Sequence, residues 1–310
     1  MPDNDPFRGV IIAAITPRRQ HETSIDLGAT LELVDFLGRT GANAIALLGS
    51  TGEFVHFALD DRRHMTDFAV KRSRVPLLVN VSHSTLDGAV ELAHEAAASG
   101  VGGVLLMPPY FFRYGQEAIY TFYMSFAEQM RGELPIYIHN IPAFTNDIEL
   151  ATAQRLLNTG SFAGIKESSG SWEYFAALRD AADHKGYSIL IGDDLLFARA
   201  RLAGADGVIS TAACAVPELV LAIEAAVLSN NPARVEALDR RLHEFIAQTQ
   251  KFPAPIGIKE ALTLRKIKSG APAIDLGNQE TQQRDEFLAW FRAWLATVQD
   301  ECKDGRPRGH

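Results

Sequence analysis

Short unbroken apolar runs alternate with longer segments whose apolar residues recur at helical spacing, and the alternation continues along most of the chain. The first run covers residues 9–17 and ends at Pro17. Asp26 then precedes Leu27, Leu31, Leu33, Val34 and Leu37, a spacing that predicts a helix capped by Asp26 and stopped at Gly41. Further apolar runs at residues 43–49, 76–82, 102–109, 135–142, 162–169, 187–194 and 207–213 predict strands. The segments between them predict helices over residues 60–71, 85–98, 116–130, 149–157, 172–182, 195–202 and 217–228. The strands are apolar throughout rather than alternating, as strands covered on both sheet faces are.

Strand–helix pairs repeated eight times in this way fit an α/β fold of the (β/α)8 barrel type, whose usual size is ~250 residues. A doubly wound open sheet fits less well. It normally carries a glycine-rich turn after its first strand, whereas Thr16-Pro17-Arg18-Arg19 stands there. The expected organisation is a barrel over residues 7–230 and a helical region over 231–300, with disordered tails at 1–6 and 301–310. Helices are expected over residues 233–250, 255–266 and 281–298, the last with Phe287, Leu288, Phe291 and Leu295 on one face.

Composition narrows the functional classes. Of 310 residues, 47% are hydrophobic and 22% charged, a globular balance. A formal net charge of −8 argues against a general binder of nucleic acid or anionic membrane. No apolar run approaches the ~20 residues that span a bilayer, and the N-terminal residues show no secretory-signal pattern. Cys214 and Cys302 lie far apart with no metal-type spacing. The expectation is a soluble, cytoplasmic protein.

Chemistry in a barrel enzyme gathers at the C-terminal ends of the strands. Lys166 stands there, alone in the run Phe162-Ala163-Gly164-Ile165-Lys166-Glu167-Ser168-Ser169. Lysine is rare in buried strands because its ammonium is costly to desolvate. Facing into a barrel it would have a lowered pKa, and a neutral amine attacks carbonyls to form a Schiff base. The alternative is a snorkelling or salt-bridged lysine, but its same-face neighbours Gly164 and Ser168 offer no counter-charge, and Glu167 points the other way.

Gly49-Ser50-Thr51-Gly52-Glu53 is the sharpest local motif. Glycines around two hydroxyl residues permit close backbone approach, and amides and hydroxyls together hold a carboxylate. The competing reading is an S-x-x-E capping box, which the β-branched and apolar residues after Glu53 disfavour. His139 is a candidate proton-transfer group at a strand end, since imidazole titrates near neutrality. His56, His83 and His139 lack HxH or HExxH spacing, so a catalytic metal is not expected. Asp193 and Asp194 read either as metal ligands or an acid/base pair, or as organisers of their strand end with Asp194 capping the helix that follows.

The chain resembles the dihydrodipicolinate synthase and N-acetylneuraminate lyase family of Schiff-base barrel enzymes. The matching segments are Gly9-Val10 with Thr16-Pro17, the Gly49–Glu53 motif, Pro109-Tyr110, Asn140-Ile141-Pro142, Gly164-Ile165-Lys166-Glu167, Gly192-Asp193-Asp194 and Gly207-Val208-Ile209-Ser210. They are collinear and span the barrel. The resemblance implies Lys166 as the imine lysine, and Ser50 and Thr51 as ligands of the carboxylate of pyruvate or another 2-oxo acid. It further implies Ile209 as a pocket-lining residue, and Gly49, Gly192, Phe111 and Phe144 as members of the substrate site. It implies no cofactor and a homotetramer built as a pair of dimers.

Three positions depart from the family pattern. His139 stands where a relay tyrosine precedes the Asn-x-Pro segment, and Tyr137 sits one layer too deep to replace it. Phe111 replaces a second tyrosine, which crosses a dimer interface in the synthase, and Phe144 replaces a carboxylate-binding arginine. Phe111, Phe112 and Phe144 make the distal pocket more apolar, although Arg113 brings a charge nearby. These changes put dihydrodipicolinate synthesis behind a lyase or aldolase acting on pyruvate, a 2-oxo acid or a 2-keto-3-deoxy sugar acid. The same imine also allows dehydration of such a sugar acid. A third alternative is a catalytically silent 2-oxo-acid binder.

Overall fold

The computed structural model describes residues 6–20, 22, 24–182 and 186–303. Eight strands form one closed parallel barrel in sequence order: β1 (Gly9–Ala13), β2 (Ala44–Leu47), β3 (Leu77–Asn80), β4 (Gly103–Leu106), β5 (Ile136–Asn140), β6 (Gly164–Glu167), β7 (Ser188–Ile191) and β8 (Gly207–Ser210). The ladder closes where Val10 lies opposite Val208 and Ile11 opposite Ile209. Each paired segment is shorter than its apolar run, because the run continues past the ladder into the loop that leads to the next helix.

The helices of the outer ring are α1 (Leu27–Leu37), α2 (Leu59–Arg72), α3 (Leu86–Ser99), α4 (Gln116–Met130), α5 (Leu150–Leu157), α6 (Trp172–Ala181) and α7 (Phe197–Leu202), with the short α8 (Ala212–Ala215) and then α9 (Pro217–Leu228). Beyond them lie α10 (Pro232–Thr249), α11 (Ile256–Leu264) and α12 (Asn278–Lys303). Asp26 caps α1 as its position predicts, its carboxylate accepting from the Ala29 amide at 3.0 Å. The helix stops at Leu37, ahead of Gly41. Helix α12 runs through Lys303, so the first residues of the expected C-terminal tail are helical. Residues 1–5 and 304–310 of the expected tails lie outside the described residues.

The largest departure from the predicted elements follows β8. Residues 207–213 read as one strand, but the strand ends at Ser210 and Ala212–Ala215 is helical. Alanine is the strongest helix former, and two side chains cap this turn. Asp194 accepts from the Ala212 amide at 2.9 Å, and Ser210 Oγ from the Ala213 amide at 2.9 Å.

Two cores result. The larger fills the space between the barrel and its helices. The smaller fills the barrel itself with Phe7, Ile11, Ala13, Ala44, Ala46, Leu78, Leu105, Tyr137, Leu190 and Ile209. Phe7 plugs the N-terminal end, its ring meeting Tyr137 edge-on at 5.6 Å. Gly164 faces that ring, since a Cβ there would lie 3.0 Å from two Tyr137 ring carbons. Apolar packing therefore closes the barrel below and leaves its polar side chains at the C-terminal mouth, where barrel chemistry belongs.

Candidate active site

His139 on β5 and Lys166 on β6 are direct neighbours in the ladder, and Lys166 is in turn opposite Leu190 of β7. Lys166 is buried at 5% exposure and His139 is fully enclosed. Burial pushes the Lys166 ammonium down to about 8, an effect partly offset by the negative charge of Asp194. Burial, and then the positive charge of Lys166, hold His139 well below the usual histidine range. At neutral pH the site therefore holds a neutral imidazole beside an amine with an accessible neutral form.

Gly192 makes room for the lysine. A Cβ at Gly192 would lie 1.9 Å from Ser168 Oγ and 2.6 Å from Lys166 Cε, so any side chain there displaces both. Ser168 Oγ in turn stands 3.4 Å from His139 Nε2, while His139 Nδ1 has no hydrogen-bond partner among the described residues. Glu167 points away from the site, accepting from Asn140 Nδ2 at 2.9 Å and from the Ser169 amide at 2.6 Å, and so locks β6 to β5.

Across the mouth, the loop after β2 is held in a tight shape. Leu48 and Glu53 both have positive φ, 57° and 52°. A Cβ on Gly52 would come within 3.0 Å of the Leu48 backbone and 3.1 Å of Thr16 Oγ1. Nothing lies within 4 Å of a Cβ built on Gly49, so that side of the loop is open. Thr51 Oγ1 pairs with Thr211 Oγ1 at 2.8 Å, and Thr16 Oγ1 is buried without a partner among the described residues. Hydroxyls from the ends of β1, β2 and β8 thus gather beside open space, a donor set suited to a carboxylate. Glu53 makes no capping box. Its carboxylate pairs with Lys259 of α11 instead.

Ile209 lies in the apolar layer of the barrel interior, 1% exposed. Phe144, 64% exposed, stands at the rim of a cleft of about 360 Å³ that also takes in Ser168, Gly192, Asp194 and Thr211 and is walled by Phe245, Phe252 and Ile258 of the C-terminal region. Phe111 stands apart from that cleft. It is 89% exposed, has φ 81°, and packs edge-on against Phe112. Arg113 donates to the Thr145 carbonyl at 3.0 Å. Ser50 is half-exposed beside Thr51.

Asp194 does not cap the helix that follows it. Asp193 Oδ1 accepts from the Leu195 amide, while the Asp194 carboxylate turns inward to the Ala212 amide, near enough to Lys166 for its charge to act on the amine. Burial raises it to about 6, with hydrogen bonds from Ser210 and Ala212 acting against that rise. His83 Nδ1 pairs with Thr85 Oγ1 at the start of α3, and the His56 carbonyl accepts from Arg18. Among the described residues no group of three or more His, Cys, Asp or Glu side chains is placed to hold a metal ion.

A sequence profile of the dihydrodipicolinate synthetase family matches residues 6–292. The chain belongs to this family. At the level of the family it is an enzyme, a class I Schiff-base lyase or aldolase. It is 30% identical over 287 residues to the 4-hydroxy-tetrahydrodipicolinate synthase of an Azoarcus species, covering 92% of this chain and 97% of the relative. A putative dihydrodipicolinate synthetase from Pseudomonas aeruginosa superposes with a TM-score of 0.87 at 25% identity, covering 93% and 99% of the two chains. The 2-keto 3-deoxygluconate aldolase from Picrophilus torridus superposes with a TM-score of 0.81 at 25% identity, covering 87% and 98%. The names of these relatives weigh toward the synthase, the activity that the altered site residues had placed behind cleavage chemistry.

Asp194, Ser168 and Lys259 are the site residues that the sequence did not single out as such. Ser168 carried a usable signal, since it shares a strand face with Lys166. The links of Asp194 to Lys166 and of Lys259 to Glu53 join distant parts of the chain, and no local pattern announces them.

Proposed function

We propose that Lys166 forms an imine with pyruvate or another 2-oxo acid, and that a carbon–carbon bond is made or broken at the carbon next to the imine. The observation that carries this reading is the amine of Lys166, buried on β6 at the mouth of the barrel and held down to about 8 by that burial. The imine nitrogen withdraws the bonding electrons as the bond breaks, and returns them from the enamine when the bond forms. Ser50, Thr51 and the open side of Gly49 take the carboxylate, Gly192 leaves space for the lysine, and Ile209 forms the apolar floor. His139 handles the proton that the family assigns to a tyrosine. Phe144 lines the distal side, with Phe111 reaching a neighbouring subunit.

A homotetramer assembled from dimers is part of the proposal. Its support is the exposure of Phe111 and Phe112, 89% and 64%, on a loop that a partner would cover.

The names of the relatives favour a second reading, the synthase itself. Its product is a dicarboxylate, so a second carboxylate has to be held, and Phe144, which stands on the cleft wall where the family carries an arginine, offers no charge for it. Steady-state turnover separates the two. Purified enzyme is assayed for 4-hydroxy-tetrahydrodipicolinate formation and, in parallel, for pyruvate release from 4-hydroxy-2-oxo acids and 2-keto-3-deoxy sugar acids. Pyruvate release from the second group with no synthase product supports the primary reading. Synthase turnover with no pyruvate release replaces it with the second.

A further inference from the structure

His139 is fully enclosed and is not among the residues that line the cleft. Ser168 is only half-buried and lines the cleft. Its hydroxyl lies between the two groups that matter, 3.4 Å from His139 Nε2 on one side. On the other side it shares with Lys166 Cε the space that a Gly192 side chain would fill. We propose that Ser168 is a catalytic residue, the hydroxyl that exchanges protons directly with the substrate while His139 stores the proton behind it. The inference rests on the imine reading of Lys166.

The steps balance without an outside acid or base. With pyruvate bound as the iminium, Ser168 Oγ removes a proton from the methyl carbon and passes its own proton to His139 Nε2. The C–H electron pair becomes the enamine double bond, and the iminium nitrogen loses its charge. The enamine carbon then attacks the carbonyl carbon of an aldehyde. The new alkoxide takes the Ser168 proton, and Ser168 recovers the stored one from His139. One proton leaves carbon and one arrives at oxygen. Cleavage runs the same transfers backward. A hydroxyl–imidazole contact of this length tightens as substrate packs against it. Burial leaves the imidazole neutral at the start, and the positive charge on the neighbouring nitrogen that opposes its protonation disappears as the enamine forms.

Among the described residues His139 Nδ1 is buried without a partner, so Nε2 is the ring nitrogen with a hydroxyl beside it, and the missing side chain at Gly192 leaves the space that Ser168 Oγ and Lys166 Cε occupy.

The test measures two events on the same protein. Lys166 adduct formation is read by borohydride reduction with pyruvate and mass spectrometry. Methyl proton exchange is read by NMR of pyruvate in deuterium oxide. The Ser168→Ala variant is expected to keep the adduct and to lose exchange by roughly 100-fold or more. Ser168→Thr, which retains a hydroxyl, is expected to restore much of that loss. Exchange at the wild-type rate in Ser168→Ala overturns the relay. Loss of the adduct in both variants, with folding intact by circular dichroism, also overturns it and makes Ser168 a support for Lys166. Absence of an adduct in the wild-type enzyme is the distinct result that removes the imine reading itself.

Discussion

The ammonium of Lys259, on α11, pairs with the carboxylate of Glu53, which closes the Ser50-Thr51 loop after β2. Both side chains are largely buried, 4% and 11% exposed. Lys259 also donates to the Ala271 carbonyl at 3.1 Å. The helical C-terminal region is thereby fastened to the loop proposed to hold the substrate carboxylate.

Lys259→Met leaves Glu53 buried without its cation. Breaking a buried pair from one side costs ~3 kcal/mol or more, so a clear loss of stability is expected in urea unfolding. Because Glu53 ends the loop, KM for the 2-oxo acid is expected to rise more than kcat falls. A variant that loses stability with an unchanged KM would show that the pair supports the fold alone.

The pH dependence of imine formation follows from Lys166 and Asp194. The amine is pushed down to about 8, so the rate of adduct formation is expected to rise with pH through that value. Asp194 is charged above about 6 and holds the proton on Lys166. Asp194→Asn is therefore expected to move the midpoint to lower pH. A profile unmoved by this substitution would remove Asp194 from the electrostatics of the site.

The same burial makes Lys166 a cost to the fold. Below about 8 both folded and unfolded chains carry the proton, and the folded state bears the full penalty of an enclosed ammonium. Between about 8 and 10.5 the folded chain loses the proton first, so stability rises with pH and the penalty fades. Lys166→Met is expected to stabilise the protein at pH 7 by roughly 3 kcal/mol, an advantage that vanishes above the upper limit of that range. Denaturation curves at both ends of the pH range measure it.

Gly192→Ala puts a methyl group where Ser168 Oγ and Lys166 Cε stand. Both neighbours are flexible side chains, so the barrel is expected to fold with a stability loss of ~1–3 kcal/mol, as in overpacked cores. The displaced lysine is expected to form its adduct more than tenfold more slowly, read by timed borohydride trapping.

His139→Ala and His139→Gln are each expected to lower turnover by roughly 100-fold, within the range of general acid–base catalysis. His139→Tyr restores the family residue and is expected to recover part of the rate. Near-wild-type turnover of all three would end the proton-transfer role of His139.

Much of the framework is legible in the sequence because it is local. Apolar runs bounded by glycine and proline mark the strands, Asp26 marks a helix start, and a lone lysine in an apolar strand marks a buried amine. The sequence fails where geometry joins distant segments. Residues 207–213 read as a continuous strand because apolar alanine suits either element, and the Asp194 carboxylate from the neighbouring loop joins Ser210 in capping helix α8. Asp194 looks like the cap of the next helix because its position suits one, yet it turns inward to a different helix. The enclosure of His139 is equally invisible, since exposure at a strand end depends on how the loops above it pack.

The most direct test is borohydride reduction of the enzyme with pyruvate and a panel of 2-oxo acids, followed by peptide mapping. The expected result is one reduced adduct on Lys166 and none in Lys166→Met. No adduct on Lys166 with any of these acids, or an adduct on another lysine, would contradict the imine mechanism.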